Sequence, residues 1–413
     1  MNSINSSTSS FKASEHQAAG HDGCMTSNSL FIKPTTRQEL DFYTETLKRD
    51  GAKEERYPED EGIALGSLLS HWLPTFLGSL QKGEFSNKQI FKQSSTSSIS
   101  SSTDNVTAGL KSKEYIVLSN LYHEFKKPSI LDIKLGSKLT DDLVTPSEKI
   151  ARLQKVTEST TSGSHSFRIC GMKVYNNEKD LLKPKELFPG MDDTITILYD
   201  EPENQLSSAS NTSPKYLVYD KYFGRSLDSN TIQQGLELYF KPLKPKIHHL
   251  MCLIDNFIHR LQLLYNCLLD HETRMYSASL LFIYECDPQV WSNVSVEEYG
   301  KYDPLIKEFE LSDDDDDDDD EDEAENVFND VDAVEREGLH NVTKAYDVIK
   351  QIGASDKYND CDKDMERTAP LSSLHLIDFA HSKYVDGEGY DENVIEGVEN
   401  LIKLLQNIKS EIE

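Results

Sequence analysis

The sequence predicts an α+β protein in two lobes. Three observations lead there: short apolar runs that read as strands cluster early, one long amphipathic helix lies near 246–270, and more strands follow it. With 413 residues, 37% of them hydrophobic, the chain is long enough to bury a substantial core.

Taken in order, the strand candidates are 30–33, 115–118, 130–135, 194–199, 216–219, 279–284 and 374–379. Residues 36–47 and 393–408 read as helices. In 246–270 Leu250, Leu253, Ile254, Phe257, Leu261, Leu264, Tyr265 and Leu268 recur at three- and four-residue spacing, the stripe of a helix facing a core. Thr145-Pro146-Ser147-Glu148 has the pattern of a capping box, with threonine as N-cap and proline at the first helical position. It predicts a helix over about 146–157 whose Lys149, Arg152 and Lys155 share roughly a third of the circumference. Such a face is either solvated or anion-binding.

Polar insertions interrupt these elements. Residues 313–323 are eleven consecutive carboxylates, and without them the formal charge of −29 becomes −18. Like charges at that density repel and bury no core, so about 303–365 is expected to be disordered. It serves either as a solvated spacer or as a docking segment for a basic partner. Serine- and threonine-rich residues within about 84–113, and residues 201–213, read as further loops. The expected division is a smaller lobe over 11–127, carrying the first insertion, and a larger lobe over 128–408, carrying the acidic one.

Composition excludes several classes. A charge of −29 argues against a general binder of nucleic acid or anionic membranes. No apolar stretch approaches the ~20 residues of a membrane span. Residues 1–10 lack the apolar core of a secretory signal. The six cysteines form no CxxC pair, which speaks against a disulfide framework or a cysteine zinc site and for a reducing compartment.

The candidate chemistry lies in three segments. In Pro128-Ser129-Ile130-Leu131-Asp132-Ile133-Lys134-Leu135-Gly136 a strand would turn Leu131, Ile133 and Leu135 into a core. Asp132 and Lys134 would then stand side by side on the other face, about 7 Å apart. One could accept a hydroxyl proton while the other holds a phosphate; a pair of surface salt bridges would satisfy the same spacing. Ile377-Asp378-Phe379 ends an apolar strand on a single aspartate, a position that suits either a magnesium ligand in phosphoryl transfer or a cap for the next turn. Lys33, at the end of an early strand, could reach nucleotide phosphates. Neither GxxxxGK[ST] nor GxGxxG occurs.

Together these segments resemble the inositol polyphosphate kinase family, most closely its fungal multikinase branch. The family's PxxxDxKxG stands at Pro128, Asp132, Lys134 and Gly136, followed in order by Ser279-Leu280-Leu281 and Ile377-Asp378-Phe379. Supporting blocks are 17–21, 167–173 and 221–227, and the likeness runs from about 11 to 408. It implies a two-lobed fold distantly like that of protein kinases, with a short helical insert near 137–165 that binds inositol phosphate. It implies ATP and Mg2+ as cofactors, with inositol trisphosphate carried to tetrakis- and pentakisphosphate. Asp132 would orient the attacking hydroxyl and Lys134 would neutralise the transferred phosphate. Asp378 would ligate magnesium with Ser279 nearby, and Lys33 would hold the nucleotide phosphates. The hinge containing Leu118 and Asn120 would meet adenine and ribose, although the family usually has acidic residues where this chain has Ser119 and Asn120. Lys149, Arg152, Lys173 and His381 would line the substrate site.

The local charge agrees with that placement. Across 128–175 seven basic residues face five acidic ones, a balance of +2 within a chain at −29. The resemblance also implies a nuclear and cytoplasmic location, the nucleus foremost, and transcription-factor partners through the acidic tract. A scaffold of that kind, or a single-step trisphosphate 3-kinase, is the rival expectation.

Overall fold

The computed structural model describes residues 12–13, 23–54, 64–81, 114–176, 184–199, 214–243, 246–292, 294 and 371–413. The three insertions expected at 84–113, 201–213 and 303–365 lie outside the described residues.

The smaller lobe is an antiparallel sheet of β1 (Lys12–Ala13), β2 (Met25–Ser27), β3 (Leu30–Pro34), β4 (Phe76–Gln81) and β5 (Glu114–Ser119), in the order β1-β2-β3-β5-β4. Helix α1 (Arg37–Glu54) follows β3. It extends a full two turns beyond the predicted end, and in that extension Asp50 is a buried partner of His271 in the other lobe rather than a surface residue.

The larger lobe opens with β6 (Pro128–Leu135). Two helices, α2 (Ser147–Glu158) and α3 (Thr161–His165), then precede β7 (Phe167–Tyr175). Strands β8 (Ile195–Tyr199) and β9 (Pro214–Tyr219), helices α4 (Lys221–Ser226), α5 (Ile232–Phe240) and α6 (Ile247–Leu269), and strands β10 (Thr273–Met275) and β11 (Ser279–Glu285) come next. Helix α7 (Pro288–Ser292), β12 (Ser372–Ile377), β13 (Ser382–Tyr384) and α8 (Glu392–Ile412) complete the lobe. Its six-stranded antiparallel sheet has the order β12-β11-β6-β7-β9-β8, and β10 pairs with β13 separately.

The predicted stripe of α6 is buried as expected, with Leu250, Leu253, Ile254, Phe257, Leu261, Leu264 and Leu268 in the main core. Helix α8 packs against α6, and its Val398, Leu401, Leu405 and Ile408 are buried in the same core. The same core runs into the smaller lobe, where Phe42 of α1 stacks on Phe379 at 4.7 Å and on Tyr384 at 5.3 Å. The two sheets are thus bridged by packed side chains. No helix among the described residues is long and apolar enough to cross a membrane.

One local expectation is corrected. Pro146, extended at φ −57° and ψ 139°, is the N-cap of α2, and no side chain caps that end. Thr145 instead closes the preceding turn, its N–H bonded to the Asp141 carbonyl, while the Pro146 carbonyl accepts from Lys149 and Ile150. The capping-box pattern is present, but the turn before it takes its threonine.

Candidate active site

Strand alternation places the central pair as expected. Leu131, Ile133 and Leu135 are buried in the main core, and Asp132 and Lys134 emerge on the opposite face. Register adds a neighbour to each. Ser279 of β11 stands opposite Lys134, and Leu281 opposite Asp132. On the other side Lys134 pairs with Arg168 and Asp132 with Gly171, with a bulge between that leaves Cys170 unpaired. Lys134 donates to the Ser277 carbonyl at 2.7 Å.

Asp132 is only 4% exposed, and its Oδ1 has no hydrogen-bond partner. Burial pushes its carboxyl up to about 6; Asp378 adds to the rise, while Lys134, Ser279 and Arg168 oppose it. The Ser279 hydroxyl, fully buried, is close enough to favour the carboxylate but completes no hydrogen bond of good geometry.

Asp378 follows directly on β12. That strand ends at Ile377, two residues earlier than predicted, because Asp378 adopts the left-handed conformation at φ 68° and turns the chain. The turn aims its carboxylate at Lys33, whose Nζ lies 3.0 Å from Asp378 Oδ1 and 2.7 Å from Glu39 Oε1. Burial alone would weaken the Lys33 ammonium, but the two carboxylates more than offset it and hold it firmly protonated.

Glu39 was not among the predicted site residues. It is buried in the first turn of α1, where it also accepts from the Thr35 hydroxyl at 2.7 Å and from the Phe379 amide at 3.2 Å. The available signal was Thr36-x-x-Glu39: the Thr36 hydroxyl does accept from the Glu39 amide at 3.2 Å. The glutamate, however, reaches outward to Lys33 rather than back to the cap.

A cleft between the lobes joins these groups. Lys33, Asp132 and Asp378 form its charged end, and Phe31, Leu118, Leu121, Tyr122, Leu281 and Ile377 line its apolar remainder. Leu118 therefore lies where the hinge was expected. Asn120 does not line the cleft: its side-chain amide donates to Asn28 O at 2.8 Å and its Oδ1 accepts from the Tyr122 amide at 3.2 Å. It stitches the hinge to the β2–β3 turn, and Leu121 and Tyr122 take the place assigned to it.

The expected substrate cations fall on two flanks of Asp132. On one, Lys149 of α2 donates to His381 Nε2 at 3.4 Å. Burial, then Lys149 and Lys134, hold the His381 imidazole below its usual range, so its neutral ring accepts that bond. Arg152 is exposed on the same helix, which buries no side chain. On the other flank Lys173 is buried with its ammonium 4.5 Å from the centre of the Tyr216 ring. It stands opposite Ile130, four residues along β6 from Lys134, or roughly 13 Å.

The donor set fits a nucleotide-borne divalent cation. No group of three or more histidine, cysteine, aspartate or glutamate side chains among the described residues could hold a metal alone. Asp378, the partnerless Asp132 Oδ1 and the Ser279 hydroxyl offer a few hard oxygen donors, which suits an ion completed by phosphate oxygens and water.

The model of the family described as inositol polyphosphate kinase matches residues 115–406. The chain is 36% identical to the inositol polyphosphate multikinase of Saccharomyces cerevisiae over 406 residues, 95% of this chain and 97% of that one. It is 26% identical to the Schizosaccharomyces pombe multikinase over 65% of this chain and 77% of that one. The crystal structure of the S. cerevisiae inositol phosphate multikinase Ipk2 in complex with ADP and Mn2+ superposes with a TM-score of 0.52 at 30% identity, covering 92% of this chain and 99% of that one. With Asp132 of PxxxDxKxG and Asp378 of the Ile377-Asp378-Phe379 turn meeting in one cleft, the β11 serine paired opposite Lys134, and matches spanning nearly the whole chain, the protein belongs to the inositol polyphosphate kinase family.

Proposed function

We propose that the protein is an ATP-dependent kinase of soluble inositol polyphosphates, of the multikinase kind that carries the trisphosphate to tetrakis- and pentakisphosphate. The observation that carries this reading is the cleft itself. A buried carboxyl of raised proton affinity (Asp132) stands with a lysine–aspartate pair (Lys33, Asp378) at the charged end of an otherwise apolar slot, and Lys134 follows Asp132 two positions along the same strand face.

In the reaction Asp132 orients the attacking inositol hydroxyl and accepts its proton at the carboxylate. Lys134, half-buried and tied to Ser277 O, stands where charge develops on the transferred group. Lys33 holds the nucleotide phosphates, its position fixed by Glu39. The apolar end of the slot takes the base, with Leu118 against it. Asp378, with Ser279 and Asp132 beside it, would hold Mg2+, which when bound neutralises phosphate charge. Lys149, His381 and Arg152 on one flank and Lys173 on the other bind phosphates of the inositol ring.

Chromatography of products from labelled ATP and inositol trisphosphate tests the reading. Successive tetrakis- and pentakisphosphates are expected. A single tetrakisphosphate isomer would replace it with a trisphosphate 3-kinase, and no transfer at all would remove the kinase reading.

We also propose a nuclear and cytoplasmic location with the nucleus foremost, and a basic transcription-factor partner for 313–323. The location is supported only by the resemblance to fungal multikinases, and the partner by the eleven-carboxylate run. Deleting 313–323 should abolish partner capture and leave turnover intact; unchanged capture would end that proposal.

A further inference from the structure

Arg168 and Arg225 belong to the sequence blocks 167–173 and 221–227, and the mechanism above, which uses Lys173 of the first, leaves both arginines without a role. Arg168 is 7% exposed and lies on the Asp132 face of the sheet, directly opposite Lys134. A guanidinium carries five N–H donors. Among the described residues Arg168 makes a single side-chain hydrogen bond, from Nη1 to the Ser162 hydroxyl of α3 at 2.8 Å, and no carboxylate pairs with it. A buried cation is ordinarily paired, because desolvation otherwise disfavours its charge.

A second guanidinium is held nearby rather than a counter-charge. Helix α4 lies so close on β7 that a Cβ at Gly224 would fall 1.8 Å from the Ile169 carbonyl oxygen. Only glycine permits that approach, and it brings Arg225 and Arg168, the next residues along their chains, together. Arg225 Nε is buried without a hydrogen-bond partner. Burial and then Arg225 lower the affinity of Arg168 for its proton, whereas Asp132 and Cys170 oppose that only in part. Two like charges gathered beside a single reacting carboxylate, with no acid within ion-pair distance of either among the described residues, form a site waiting for an anion.

We propose that Arg168 is a substrate-phosphate anchor. It binds a phosphate of the inositol ring other than those at Lys149 and Lys173, and Arg225 strengthens it as a second positive charge. The assignment rests on the inositol polyphosphate kinase reading and deepens it. Arg168 sits beside Lys134 in the sheet and is tied to the α2–α3 insert through Ser162, so it spans the boundary between the reacting centre and the substrate helix. A planar fork matches a phosphate with two parallel N–H bonds, which a lysine cannot reproduce.

The test uses the full chain and initial rates with inositol trisphosphate and ATP varied separately. Arg168→Ala should raise the KM for inositol trisphosphate at least about tenfold, as expected for losing charge-assisted hydrogen bonds. The KM for ATP should stay within about twofold, since Arg168 does not line the nucleotide cleft. Arg168→Lys should recover only part of the loss, and Arg225→Gln should raise the same KM by a smaller factor. Ser162→Ala, which removes the protein partner but leaves the guanidinium, should change little. If Arg168→Ala does not fold, Arg168→Lys carries the test. Three outcomes would overturn the assignment: an unchanged substrate KM, equal losses of activity and thermal midpoint in Arg168→Ala and Ser162→Ala, or a shifted pH–kcat profile at constant KM. The second would make Arg168 a structural tether, and the third would assign it to Asp132. A wild-type chain inert toward every inositol polyphosphate would instead bring down the kinase reading on which the anchor stands.

Discussion

Lys33 and Glu39 meet at 2.7 Å, joining the end of β3 to the first turn of α1 inside the closed face of the cleft. The same glutamate accepts the Phe379 amide, so one carboxylate fixes both the phosphate-facing lysine and the turn that carries Asp378. Removing its charge leaves Lys33 with Asp378 alone, and Asp378 is then drawn from any other role. Glu39→Gln should therefore raise the KM for ATP by about tenfold or more and lower kcat, with the inositol phosphate KM little changed. Separate initial-rate titrations of the two substrates check this; equal effects on both would point to a general loss of fold.

Asp132 is expected to show a trade between activity and stability. Its folded-state carboxyl titrates near 6 against an ordinary 3.8, so the native state holds a proton that the unfolded chain releases between those values. Stability thus falls as pH rises from about 4 to 6, and above 6 the full cost of the buried charge is present. Two units correspond to about 3 kcal/mol. Asp132→Asn should stabilise the free protein by up to that amount at pH 7–8, leave it nearly unchanged at pH 4, and abolish most turnover. Thermal midpoints at the two pH values test the sign.

The same titration sets the pH dependence of the reaction. A proton acceptor must be ionised, and kcat/KM reports the free enzyme. With the Asp132 carboxyl at about 6, kcat/KM should fall about tenfold for each pH unit below that value. A profile flat down to pH 5 would remove Asp132 as the proton acceptor.

How much of this was legible in the sequence depended on the range of the interaction. Asp132 and Lys134 were readable because strand alternation is a local rule, and Leu131, Ile133 and Leu135 mark the buried face without ambiguity. The stripe of α6 was readable for the same reason. Glu39 was not, because its partners Lys33 and Phe379 come from two different lobes and its own segment looks like an ordinary helix cap. Asn120 was misplaced because its role is set by Asn28 and Ser29, which approach only when β3 pairs with β5. Thr145 was misread because the competing acceptor, the Asp141 carbonyl, belongs to a turn whose geometry no residue pattern specified. Arg168 was counted among the basic residues of 128–175, but its burial and its place opposite Lys134 depend on a bulge that spacing does not reveal.

Helix α2 offers a test in which the fold is not at stake, since it buries no side chain. Lys149→Ala with Arg152→Ala should leave the unfolding free energy within about 1 kcal/mol, the usual limit for two exposed positions. The KM for inositol phosphate should rise severalfold and its dependence on salt should weaken, because fewer cations attract the polyanion. Lys149 should dominate the pair, being half-buried against His381, whereas Arg152 is exposed. Single variants resolve the order; an unchanged KM would return α2 to a merely solvated role.

The glycine that ends PxxxDxKxG sets the join between the catalytic strand and the substrate-binding insert. Gly136 has φ +89°, and a Cβ there would lie 2.3 Å from the Asn393 side-chain amide nitrogen. Asn393 cannot easily yield, since its Oδ1 accepts from the Ser137 and Lys138 amides at 2.8 and 2.7 Å and its Nδ2 donates to the Lys138 carbonyl at 3.0 Å. Gly136→Ala combines a left-handed alanine, costing roughly 1–2 kcal/mol, with the loss of one or two of these backbone partners at about 1 kcal/mol each. A destabilisation of about 2–4 kcal/mol is expected. If the clash with Asn393 contributes, Asn393→Ala should cost less in the Gly136→Ala background than in the wild type. Chemical denaturation of the four proteins measures that coupling, and strictly additive losses would show that Gly136 is required for its backbone conformation alone.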